Sequence, residues 1–93
     1  MKGCLIYDTN TKHEVNYQTP KDIFGSLDFT TCGACIEKDL VIIHNPKKNN
    51  GEFKNPQEIF NNFVYDEPLF SPILVIQTND DGNIIDLCDS FFL

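Results

Sequence analysis

No apolar run in this chain is longer than a strand. The longest, residues 72–76, falls far short of the roughly 20 residues that a membrane-spanning helix needs. Any core must therefore be assembled from several short segments that meet in space. With 93 residues, 41% of them hydrophobic, the chain has material for one modest core and not for two. Eight phenylalanines favour a Phe- and Ile-rich interior, because aromatic rings bury much area per ordered residue.

The short β-branched runs bounded by turn residues predict strands over residues 3–8, 13–17, 40–44 and 51–53. A closing hairpin is predicted from residues 73–78 and 83–87 around Asn79-Asp80-Asp81-Gly82, a sequence with the chemistry of a tight or slightly widened β-turn. Two helices are expected, over 20–27 and 56–64. Each start has an N-cap oxygen (Thr19 or Asn55), a proline at the first helical position and an acid at the third (Asp22 or Glu58). The first would bury Ile23, Phe24 and Leu27, with Gly25 weakening it; the second would bury Ile59, Phe60, Phe63 and Val64.

These elements repeat at an offset of 36 residues, position 19 falling on position 55. The offset lays Thr19-Pro20-Lys21-Asp22-Ile23-Phe24 on Asn55-Pro56-Gln57-Glu58-Ile59-Phe60, Leu5-Ile6-Tyr7 on Val41-Ile42-Ile43, and Tyr17 on Phe53. The expected architecture is α+β: a small antiparallel sheet built from hairpins, two short helices on one face, and an internal hairpin–helix duplication. It is one domain, made of a unit over 1–36, a second over 37–68, and a closing hairpin with an apolar tail over 69–93. The polar, lysine-rich segment 45–55 reads as a connector.

Charge is segregated along the chain. Seven lysines balance seven acids in residues 1–54, whereas 55–93 hold Glu58, Asp66, Glu67, Asp80, Asp81, Asp86 and Asp89 and no lysine. The formal charge of -7 therefore belongs to the second part, which should repel nucleic acid and attract basic partners. Arginine is absent, and with it the bidentate clamp that phosphate and base recognition favour. The lysines are too scattered among too few aromatics for a nucleic-acid groove. No signal peptide is legible, since Met1-Lys2 precede only a few apolar residues before Asp8. These features predict a soluble intracellular protein whose cysteines remain thiols, with no direct nucleic-acid partner and no membrane.

Cys32-Gly33-Ala34-Cys35 is the one motif with chemistry attached. Thioredoxin-like redox work would need a buried strand before it and a helix starting at Cys32, and the flanking residues offer neither. Zinc is the better functional reading, with Cys32 and Cys35 completed from Cys4, Cys88, His13 or His44, although no second pair has ribbon or finger spacing. The plain reading, two inert thiols on a Gly-containing turn, ranks ahead of both, so no cofactor is expected. Cys4 and Cys88 read as small buried strand hydrophobes, His44 as a satisfied histidine at an edge, and His13 as solvent-facing. No catalytic constellation is present in the sequence.

The chain resembles the small phage and algal-virus proteins grouped as domain-of-unknown-function family 3846. The resemblance rests on the opening strand Lys2-Gly3-Cys4-Leu5-Ile6-Tyr7-Asp8, on Leu40-Val41-Ile42-Ile43, on Asn55-Pro56, and on the ending Pro72-Ile73-Leu74-Val75-Ile76-Gln77-Thr78-Asn79-Asp80-Asp81-Gly82-Asn83-Ile84-Ile85-Asp86-Leu87. The Cys32–Cys35 segment and the Asn- and Lys-rich loop depart from the family pattern. What the resemblance implies is a viral or phage accessory protein without catalytic residues, acting in the cytoplasm of the host cell.

Together these readings give a non-enzymatic protein that binds, and inhibits, a basic host or viral protein through an acidic face. The candidate contact residues are Asp66, Glu67, Asp80, Asp81, Asp86 and Asp89, with Phe91 and Phe92 of the apolar tail. A solvated acidic face that only keeps the protein soluble competes with this reading. So does a structural virion component such as a minor capsid or cement protein. The tail is expected to fold onto the core; left exposed, it would suit a partner or a homodimer.

Overall fold

The apolar runs of the middle and end of the chain become the centre of a single antiparallel sheet in the computed structural model, which describes residues 1–8, 11–25, 28–35, 39–47, 51–52, 64–65 and 68–92. The strands are β1 (Lys2–Asp8), β2 (Thr11–Asn16), β3 (Thr30–Cys35), β4 (Leu40–His44), β5 (Val64–Tyr65), β6 (Ile73–Thr78) and β7 (Ile84–Ile85). Their order is β2-β1-β6-β4-β3-β5, with β7 continuing alongside β6. β6 is the hub: Leu74 lies between Leu5 of β1 and Ile43 of β4, and Val75 between Cys4 and Ile42. A strand in that position is covered on both faces, which is why β6 and β4 read as unbroken apolar runs and not as alternating ones.

Side chains alternate across the sheet. One face gathers Cys4, Ile6, Leu40, Ile42, Ile73 and Val75, joined by Leu69 and Leu87 and covered by Phe91 and Phe92. The opposite face gathers Leu5, Tyr17, Ile43, Leu74 and Ile76, against which Ile23, Phe24, Phe29 and Val41 pack. The edge strand β2 carries mostly exposed residues.

The α+β expectation with two short helices on one face does not hold. Among the described residues there is one helix, α1 (Pro20–Phe24), and a 3-10 turn, Asp89–Phe92, and they cover opposite faces of the sheet. α1 starts as its sequence dictates: the Asp22 carboxylate accepts the backbone N–H groups of Gln18 (2.9 Å) and Thr19 (3.1 Å). It stops at Gly25, whose φ of 72° is left-handed and whose N–H bonds to the Lys21 carbonyl at 2.8 Å. That cap arrives before the expected end near residue 27. The second helix start, around Asn55, Pro56 and Glu58, lies outside the described residues, as do Ile59, Phe60 and Phe63, while Val64, expected in that helix, belongs to β5.

The duplication fails for a topological reason. β1 forms a hairpin with the strand that follows it, β2, whereas β4 forms one with the strand that precedes it, β3. Of residues 51–53, expected as a strand, Gly51 and Glu52 are described, and Glu52 forms an isolated bridge to Phe70; Phe53 lies outside the described residues. No helix among the described residues is long and apolar enough to cross a membrane.

Candidate interaction surface

The β6–β7 turn is held by its own first side chain. The Asn79 Oδ1 accepts N–H bonds from Asp81 and Asn83, both at 3.0 Å, while the Asn79 carbonyl takes the N–H of Gly82 and the Asn79 N–H reaches the Asn83 carbonyl, both at 2.9 Å. Gly82 supplies the positive φ (81°) that the reversal requires. The arrangement fixes the backbone while leaving Asp80 and Asp81 exposed at the tip. Both carboxylates follow the apolar β6, so an ordered sheet presents them to solvent.

The next two acids, although exposed, are directed toward the start of the chain. Asp86 accepts the backbone N–H of Lys2 at 2.8 Å, and the Leu87 N–H bonds to the Lys2 carbonyl at 2.9 Å, extending the sheet past the end of β7. Asp89 pairs with the Lys2 ammonium, which also lies 4.0 Å from Glu14. The Asp89 carboxylate raises the Lys2 pKa above its ordinary value, with smaller support from Glu14 and Asp86. Lysines also hold the aromatic tail: the Lys12 ammonium sits 4.5 Å from the Phe91 ring centroid and donates to the Phe91 carbonyl at 3.0 Å, and the Lys2 ammonium lies 6.0 Å from the Phe92 ring. Phe91 and Phe92 meet edge to face at 5.9 Å and are half-buried on the core. The candidate face thus divides: Asp80 and Asp81 point out at a turn, Asp86 and Asp89 are engaged by Lys2, and Asp66 and Glu67 lie outside the described residues.

Beside the 3-10 turn, Leu40, Gln77, Leu87, Cys88, Ser90 and Phe91 line a half-open cleft of about 300 Å³. Beyond the end of β7, Leu87 is buried in the core and the next residue, Cys88, is exposed, so Cys88 is an accessible thiol and not the buried hydrophobe expected of it. Its N–H is anchored by the Gln77 Oε1 at 2.8 Å and its Sγ lies 3.1 Å from the Ser90 hydroxyl, which lowers the thiol pKa. Cys4 is its opposite. Fully buried, its thiol is pushed up to about 11 by desolvation, with Lys12 pulling weakly the other way.

Cys32 and Cys35 belong to strand β3, between β4 and β5, and not to a turn; no helix starts at Cys32. Their side chains lie outside the described residues. Among the described residues no three His, Cys, Asp or Glu side chains gather around a common point. His44 is not at an edge but in a central strand, fully buried, with its Nδ1 accepting the Phe70 N–H at 3.1 Å and its ring stacked on Phe70 at 5.8 Å. His13 is exposed on β2, its ring edge-on to Tyr7 at 5.7 Å.

No protein-family model matches this chain, and neither a curated protein nor a solved structure is similar to it at a significant level.

Proposed function

We propose that this chain is a non-enzymatic binding protein that engages a basic protein partner through the Asp80–Asp81 turn. The observation that carries the reading is the segregation of charge in the sequence together with a turn whose backbone is fixed by Asn79 while both carboxylates stay exposed. A rigid acidic projection meets a basic groove without the entropy cost of ordering a loop, and its charge steers the encounter. Asp86 and Asp89 play the smaller part, since the Lys2 backbone N–H holds one and the Lys2 ammonium offsets the charge of the other. In the setting that the family resemblance implies, the partner is a host protein met in the cytoplasm of an infected cell, and binding inhibits it.

The test compares the wild-type chain with D80N/D81N as bait for proteins of a host-cell lysate, at low and at high salt. A basic protein held by the wild type, released by salt and lost from D80N/D81N supports the reading. Equal retention by both baits sinks it, because the double substitution removes the tip charge and leaves the Asn79-centred turn intact.

A further inference from the structure

β2 is a six-residue edge strand, Thr11-Lys12-His13-Glu14-Val15-Asn16, paired with β1 on one side and with no described strand on the other. Lys12, His13, Glu14 and Asn16 are exposed, and Thr11 and Val15 half-exposed. An edge of this length is a template for another strand unless something blunts it; β2 has no proline, and the irregularity in its ladder with β1 places the extra residue, Tyr7, on β1 between Ile6 and Asp8, opposite Lys12 and Thr11.

Which of its backbone groups point outward follows from the ladder. Met1 and Tyr17 exchange both of their N–H···O bonds, so they form a hydrogen-bonded pair. Antiparallel ladders alternate bonded and non-bonded pairs. Gly3 with Val15 and Leu5 with His13 are therefore bonded pairs, and the N–H and C=O groups of Lys12, Glu14 and Asn16 face away from β1.

The side chains then select a register. Two copies of β2 meeting antiparallel about a two-fold axis must set outward-facing residues opposite outward-facing residues, which requires the axis to pass through a residue of the strand. Centred on Lys12 or on Glu14, the axis stacks like charge on like charge. Centred on His13, it sets Lys12 of each copy opposite Glu14 of the other, two opposite-charge pairs on one face. On the other face the two His13 side chains stand opposite each other at the axis, and Thr11 meets Val15 at both ends. The strand is electrically self-complementary in that register, although the chain as a whole carries -7. Lys12 keeps its contact with the Phe91 carbonyl, which uses one of its three ammonium donors.

We propose that the chain forms a two-fold dimer in which β2 joins β2 of a second copy, antiparallel and centred on His13, so that one sheet runs through both copies. Nothing in this arrangement depends on the acidic turn or on what that turn binds.

Sedimentation equilibrium of the full chain tests it. The wild type associates to a dimer as concentration rises. K12E and E14K each convert both opposite-charge pairs into like-charge pairs and weaken the dimer about tenfold or more. The swapped double variant K12E/E14K restores it, and an equimolar mixture of the K12E and E14K chains gives a heterodimer tighter than either homodimer. K12E also loses the Phe91 contacts, so the far-UV circular dichroism of every variant is compared with wild type, and E14K and the swap decide the outcome if K12E is misfolded. Hydrogen exchange gives a second reading: the Lys12 and Glu14 amides become protected with concentration, while the His13 and Val15 amides, already bonded to β1, do not change. A wild-type chain that stays monomeric at millimolar concentration overturns the proposal, and so does a dimer indifferent to charge reversal at both positions.

Discussion

The ring of Tyr17 lies across Gly3 so closely that a β-carbon there would stand 2.8 Å from the Tyr17 Cε1, with the Val75 carbonyl oxygen at 3.1 Å and a Leu74 methyl at 3.3 Å. Gly3 is thus a close-approach position: its missing side chain is the space that lets Tyr17 cap the β1–β6 ladder on the α1 side. G3A should therefore destabilise the fold by about 1–3 kcal/mol, the usual range for overpacking. Urea unfolding followed by circular dichroism measures it, and a wild-type midpoint would remove Gly3 from this role.

The hydroxyl of that same ring is buried, with Tyr17 only 3% exposed, and meets no hydrogen-bond partner among the described residues. An orphaned buried hydroxyl costs about 1–3 kcal/mol. Y17F keeps the ring and discards the liability, so it should leave stability at neutral pH unchanged or raise it by about 1 kcal/mol.

Alkaline pH should expose the same strain. Burial pushes Tyr17 up to about 12 and Cys4 up to about 11, so the unfolded chain releases both protons at lower pH than the folded one. The stability they confer is complete below the unfolded values, about 8.5 for cysteine and about 10 for tyrosine. It is lost as pH rises through the folded ones. The urea midpoint should fall steadily from about pH 9 upward, and Y17F should flatten the part of the slope above about pH 10. A midpoint constant from neutrality to pH 11 would contradict both burials.

Asp22 gives the acid limb its sign. The N–H groups of Gln18 and Thr19 lower its pKa, so its contribution is present above the unfolded value of about 3.9 and disappears as pH falls through the folded one. D22A should lower the melting temperature by a few degrees at pH 7 and by less at pH 3. An equal loss at both pH values would assign the effect to packing and not to the carboxylate.

Thiol chemistry should separate two cysteines sharply. Cys88, exposed and lowered by the Ser90 hydroxyl, should alkylate with iodoacetamide at least tenfold faster than Cys4, which should wait for unfolding. S90A should slow Cys88 severalfold. Timed alkylation with peptide mass mapping assigns each label, and equal rates in the native protein would refute the burial of Cys4.

How much of the fold is legible in the sequence depends on whether the signal is local. β6 and its turn are legible because an apolar run stops at Asn79-Asp80-Asp81-Gly82, where one asparagine and one glycine dictate the reversal. β3 is not, because Thr30-Thr31-Cys32-Gly33-Ala34-Cys35 has no apolar alternation; it is a strand through pairing with β4 and β5, and pairing can override propensity. The matching helix starts suggest a duplication that the hairpin pairings contradict, since cap chemistry says nothing of which strands meet. For the acidic face, composition points to Asp80 and Asp81 on an exposed turn, yet it cannot show that Asp86 and Asp89 are engaged by a lysine 84 and 87 positions away. Cys88 escapes a reading from sequence because its exposure depends on which face Leu87 takes.

The sheet order carries a consequence for how the chain is made. Hairpins β1–β2 and β3–β4 both precede β6, and no ladder joins one to the other, because β6 lies between β1 and β4. Among the described residues, a nascent polypeptide halted before Ile73 therefore holds two hairpins that no ladder joins. The central ladder waits on one late strand, and the interval before its synthesis is when the apolar faces of β1 and β4 lack their partner.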